Sequence, residues 1–208
     1  GLPTLANLAA LVTEERLEGI ERTQRSGAPL LRCVAGRARP GPPERVRWEP
    51  HHGHGTRTRT YAAGDQEQVA RGTGSRFDSV AEMIAAALAD LGVDARVGEV
   101  PGEYCPGSHT VSAGGRVKLA GIAQRLIKGC AHVGVVLVVK DSELVREVLV
   151  PVYEALGLEW DPASSGAVED EVPGIELEDV EASILRRLGL EYEVEPVALL
   201  PSTLAAAE

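Results

Sequence analysis

GEYCPGSHTVSAGGRVKLAGIAQRLIKGCAHVGVVLVV, residues 102–139, decides the fold. Two Pro-Gly pairs, Pro101-Gly102 and Pro106-Gly107, mark turns around Glu103, Tyr104 and Cys105. Gly114-Gly115 reads as a tight hairpin turn joining Thr110–Ala113 to a strand that opens at Arg116 and continues over Val117–Gln124. Val133–Val139 is a near-continuous apolar run, the pattern of a strand covered on both faces. With a short strand over Val93–Val97 just ahead, a sheet core spans residues 93–139.

Helical periodicity surrounds that core. Val80, Met83, Ile84, Ala87, Leu88 and Leu91 recur on one face of a helix over 76–91, with Asp78 or Ser79 as cap and Gly92 as stop. Ser142 caps a helix running to Leu156, and Val180, Ile184, Leu185 and Leu188 mark another over 176–188. An acidic linker joins them over 161–174, and the tail after Pro196 is low in complexity. Upstream, a helix is expected over 4–24 and a short strand over Leu30–Val34. Residues 36–75 carry Pro40, Pro42, Pro43 and Pro50 and almost no aliphatic pattern, so the stretch reads as an irregular or disordered insertion. The fold class is α+β.

Composition narrows the function classes. A formal charge of −10 over 208 residues disfavours general nucleic-acid binding, which rests on cations against phosphates. No apolar run is long enough to span a bilayer, and no basic-then-apolar leader follows Gly1. Cys33, Cys105 and Cys130 are odd in number and lack CxxC spacing, which predicts free thiols in a reducing, cytoplasmic setting. His51, His52 and His54 form an HHxH cluster, but no companion Cys or carboxylate stands at metal-site spacing, so no metal site is expected.

Lysine is scarce, and Lys118 is the one of three lysines placed in a suggestive setting, between a Gly-Gly turn and Gly121. A glycine inside a strand marks close approach by a ligand or by backbone. A lysine there can reach a phosphate or carbonyl oxygen as a point charge, or it can be an edge-strand lysine that discourages aggregation.

The quoted stretch resembles the core of the lipoate–protein ligase family, which includes octanoyl and lipoyl transferases, with the best match over residues 76–175. Lys118 occupies the family's strand lysine, Gly121, Gln124 and Arg125 match the residues that follow it, and His132 and Gly134 precede VVLVV as in the family's next strand. The resemblance implies a biotin/lipoate ligase-like mixed sheet flanked by helices, its first strands missing or divergent. It implies a catalytic domain over 1–175 followed by a helix and tail over 176–208.

By the same resemblance the activity is ATP- and Mg²⁺-dependent activation of lipoate or octanoate, then transfer to a carrier-domain lysine. The acceptors are lipoyl domains of 2-oxoacid dehydrogenases or the glycine cleavage H protein. Lys118 would touch the acyl carbonyl and phosphate, with Gly115, Gly121 and Gln124 lining the cofactor, and Lys118→Ala would abolish transfer with the fold intact. Upstream, Arg32 and Gly36 align with the family's arginine–glycine motif, while Cys33 and Ala35 depart from it. Cys105 lies in a YCPG setting that some similar transferases use as a nucleophile, so a Cys105 thioester without ATP is the alternative, with Lys118 or His109 favouring the thiolate. A degenerate, non-catalytic relative is the third reading. Docking of an acidic carrier on this acidic chain needs a local basic patch, for which Arg116, Arg125 and Lys128 are nearest in sequence.

Overall fold

The computed structural model describes residues 33–38, 46–48, 56–62, 71–127 and 130–197. The helix expected over 4–24, Arg32, the HHxH cluster, Lys128 and the end of the tail lie outside these residues. Strands β1 (Cys33–Ala38), β2 (Val46–Trp48) and β3 (Thr56–Ala62) fall largely within the stretch read as irregular. The alternating Thr56–Thr60 run, TRTRT, has the β-branched, period-two character of a strand but no aliphatic residue to betray it. Helix α1 is Thr73–Ala89, and strands β4 (Ala95–Val97), β5 (Val111–Ala113), β6 (Val117–Ile127) and β7 (Cys130–Leu137) follow. Helices α2 (Ser142–Leu156), α3 (Val168–Glu171) and α4 (Leu177–Glu191) lead into strand β8 (Tyr192–Val197).

Five strands form one sheet in the order β3-β7-β6-β5-β4, and three form another in the order β2-β1-β8. The described strand pairs are antiparallel, and a parallel bridge joins Lys118 to Ser165. Val80, Ile84, Ala87 and Leu88 of α1 and Val180, Ile184 and Leu188 of α4 recur at helical spacing and are sealed in one core with Val111, Leu119, Val133, Val135 and Leu137 of the sheet. Each large aliphatic in this layer contributes about 1.5–3 kcal/mol through burial. Ser183 Oγ donates to Ala87 O at 2.8 Å inside the helix pair, so small residues bring α1 and α4 close.

Several boundaries differ from the sequence expectation for physical reasons. Helix α1 begins at Thr73 rather than at Asp78 or Ser79, because Arg76 and the Thr73 carbonyl are both bound by Gln124 of β6. Ser142 is the first residue of α2 rather than its cap; its hydroxyl accepts from Arg146 Nη2 at 3.1 Å. Strand β7 is covered on one face, since Val133, Val135 and Leu137 are buried while Val136 is 49% exposed. The run of valines fits a strand on either face, and the helices of the core layer occupy only one. The stretch 161–174 is packed rather than a linker: Ser164, Ser165, Ala167 and Val168 are buried, and the Val168 and Glu169 amides donate to Val138 O and Val139 O. Pro196 lies within β8.

Candidate active site

The turn-rich loop between β4 and β5 folds back over β6, and a buried ion pair holds it there. Glu103 Oε2 and Lys118 Nζ are 2.8 Å apart, with both side chains sealed from solvent. Lys118 spends its remaining protons on Tyr104 O and Cys105 O, each at 2.9 Å, and its ammonium lies 4.6 Å from the Tyr104 ring centroid. Glu103 accepts from the Val100 and Gly107 amides on Oε1 and from Thr110 Oγ1 on Oε2. Burial alone would raise its carboxyl, but Lys118, the Val100 amide and the Thr110 hydroxyl outweigh burial and hold it below the ordinary value.

The loop is also pinned from the other side. Gly102 has φ 74°, and a Cβ there would stand 3.1 Å from Asp161 Cβ, so the turn requires glycine. The Asp161 amide and Ser164 Oγ both donate to Gly102 O. Gly166 donates to Lys118 O at 3.1 Å, continuing the bridge between β6 and the 164–166 turn. Trp160 packs edge-on to Tyr104 and tilted to Tyr153, at 5.8 and 5.3 Å between centroids. Burial pushes the Tyr104 hydroxyl up to about 12.

Cys105 is exposed and has φ 44°, a left-handed conformation that side chains rarely adopt. Its amide donates to Tyr153 Oη at 2.7 Å, and the Tyr153 hydroxyl donates to Cys105 Sγ at 3.5 Å. Tyr153 also lines an open groove of about 410 Å³ walled by Val150, Leu158, Trp160 and Pro162 and rimmed by Glu154 and Glu159. Tyr153 and Trp160 were not singled out in the sequence, and Glu103 was named there only as a member of the turn-rich cluster, with no role. The signal for Glu103 was present, as a carboxylate between two Pro-Gly turns next to a lone strand lysine. Tyr153 and Trp160 lie far along the chain and carried none.

The remaining expected site residues disperse. Gly121 gives room to the Lys118 side chain itself, whose Cε lies 3.4 Å from a built Cβ. Gly115 has φ 71° and serves the β5–β6 hairpin, with Arg96 as its neighbour. Gln124 accepts from Arg76 Nε at 2.6 Å and donates to Thr73 O at 3.2 Å. Gly36 lies in the three-stranded sheet, paired with Val46 and Val194. His109 contacts Asp78 and Ser108 through its ring nitrogens and stacks on Phe77, and the hydroxyl that meets the Cys105 sulfur is that of Tyr153. Cys130 opens β7, and Arg125 and His132 are register partners on β6 and β7.

Among the described residues, the expected nucleotide donors already have partners within the chain. The three protons of Lys118 and the amide of Gln124 are satisfied within the chain, and Gly36 belongs to the other sheet. No three His, Cys, Asp or Glu side chains gather to hold a metal among the described residues. No helix among the described residues is long and apolar enough to cross a membrane.

Comparison with known proteins agrees with this architecture. The chain is 34% identical over 119 residues to an octanoyl-[GcvH]:protein N-octanoyltransferase of Geobacillus kaustophilus, covering 57% of this chain and 40% of that protein. An enzyme of the same name from Exiguobacterium sibiricum is 44% identical over 62 residues, covering 30% of this chain and 22% of that protein. The chain thus spans well under half the length of these curated relatives. The crystal structure of a lipoate-protein ligase A bound with ATP shares the fold at a TM-score of 0.50 and 18% identity, over 82% of this chain and 62% of that one. The model of the lipoyl protein ligase A/B catalytic domain matches residues 52–188, more than half of the chain, and the chain belongs to that family.

Proposed function

We propose that the protein transfers an octanoyl or lipoyl group through a thioester on Cys105 to a lysine amine of a carrier domain. The observation that carries this reading is the presentation of Cys105. An exposed thiol is held in a left-handed backbone conformation, on a loop whose carbonyls are fastened by buried Lys118. Such strain persists where surrounding structure imposes it, and it keeps the sulfur pointed outward rather than packed. In this reading Cys105 is the nucleophile and Lys118 a positioning residue. The names of the curated relatives support octanoyl transfer from an octanoylated glycine cleavage H protein to another protein.

The reaction has two balanced steps. The Cys105 thiolate adds to the acyl carbonyl, the C–S bond forms, and the bond to the donor breaks as the donor atom takes up a proton. The acceptor amine then attacks the thioester; a C–N bond forms, the C–S bond breaks, and the amine proton leaves to solvent. Exposed Arg116 and Arg125 are the basic residues described near this strand for docking of an acidic carrier.

Incubation with octanoylated glycine cleavage H protein, followed by peptide mass spectrometry, tests the reading. A hydroxylamine-labile octanoyl adduct on Cys105, absent in Cys105→Ser, is expected. Retained transfer by Cys105→Ser, or ATP–pyrophosphate exchange with lipoate, selects the adenylate route instead. Silence in both assays selects a non-catalytic relative.

A further inference from the structure

We infer that the Tyr153 hydroxyl is a catalytic hydrogen-bond donor to the Cys105 sulfur, stabilising it as attacking thiolate and again as leaving thiolate. The inference rests on the reading of Cys105 as nucleophile and adds a residue from a distant helix to that site. Tyr153 is 48 positions from Cys105 in sequence, yet it makes two bonds to that one residue. By accepting the Cys105 amide at 2.7 Å, Tyr153 Oη has its lone pair committed, which directs its O–H toward Sγ at 3.5 Å. The same pair of bonds fixes the backbone and the sulfur of residue 105 together.

The surroundings support a donor held for this purpose. Helix α2 buries only Ser142 and Tyr153, although it also carries Leu144, Val148 and other apolar residues that stay at least partly exposed. Tyr153 is thus its one large side chain committed inward, and Trp160 packs against the ring. Burial raises the Tyr153 hydroxyl above its ordinary value and the bond to Cys105 raises it further, against a smaller opposing effect of the Cys105 amide. The phenol therefore remains protonated, and so a donor, at neutral pH. The charged groups around it are Glu103 and Lys118 on the loop side and Glu154 and Glu159 along the groove.

The hydroxyl gives up no proton in either step. It strengthens its hydrogen bond as negative charge gathers on sulfur, first before C–S bond formation and then as that bond breaks. Tyr153 also lines the adjoining groove.

The test is the rate of iodoacetamide alkylation at Cys105 at neutral pH, resolved by peptide mass spectrometry in the full chain. Tyr153→Phe keeps the ring against Trp160 and removes only the oxygen. Its alkylation and its octanoyl adduct formation should each slow about tenfold, the size of a hydrogen bond to a charged group. Should Tyr153→Phe not fold, fluorination of the Tyr153 ring keeps the acceptor and strengthens the donor, and alkylation should then speed up. An alkylation rate unchanged in either protein overturns the inference. An octanoyl adduct that forms as fast in Tyr153→Phe as in the natural chain also overturns it, while leaving Cys105 as nucleophile. A changed alkylation rate with no adduct in the natural chain keeps the hydrogen bond and removes the thioester.

Discussion

Lys118 Nζ and Glu103 Oε2 lie 2.8 Å apart with both side chains sealed from solvent, joining β6 to the loop that carries Cys105. Removing one partner strands the other charge in the interior. Lys118→Ala is therefore expected to cost about 3–5 kcal/mol in denaturant unfolding, contrary to the sequence expectation of an intact fold. The double variant Glu103→Gln/Lys118→Met should lose less than the sum of its single variants. Additive losses would show that the two groups do not interact.

The same pair sets an acid limit. The Glu103 carboxyl is held below its ordinary value of 4.5, so its contribution is complete above that pH. The contribution is lost as pH falls through the folded-state value. Melting curves should show the gap between the natural chain and Glu103→Gln narrowing as pH drops below 4.5, and a gap that widens there would reverse the sign.

Cys105 at φ 44° sets a backbone prediction that is independent of its sulfur. Left-handed backbone costs a non-glycine residue roughly 1–2 kcal/mol, and a β-branched residue more. Cys105→Gly should melt within a few degrees of the natural chain, while Cys105→Val should be destabilised by about 2 kcal/mol or more. Equal melting of the two variants would place the loop in an ordinary conformation.

Gly166 faces β6 at close quarters. A Cβ there would meet Val117 Cγ1 at 2.3 Å and Asp170 Oδ2 at 3.3 Å. Gly166→Ala must displace the 164–166 turn from Lys118 O, at a cost of about 1–3 kcal/mol in unfolding. Gly166→Ala/Val117→Ala should recover part of that loss by making room.

Much of this was legible along the chain. The hairpin at Gly114-Gly115 and the core faces of α1 and α4 follow from local signals, because turn chemistry and side-chain periodicity are properties of neighbouring residues. Strand β3 was not legible, since alternating threonine and arginine satisfy a strand without an apolar stripe. The start of α1 was missed because the contact that ties its first turn to β6 comes from Gln124, 51 positions from Thr73.

The sequence by itself determined that Lys118 and Cys105 belong to one constellation within a family's strand-and-turn pattern. Only the tertiary structure decided what they do to each other. It turned the Lys118 ammonium onto the loop carbonyls and Glu103, and it brought Tyr153 from α2 against the sulfur. The physical reason is that a buried ammonium must satisfy every proton. The oxygens that satisfy it come from a loop whose distance in space no spacing in sequence records.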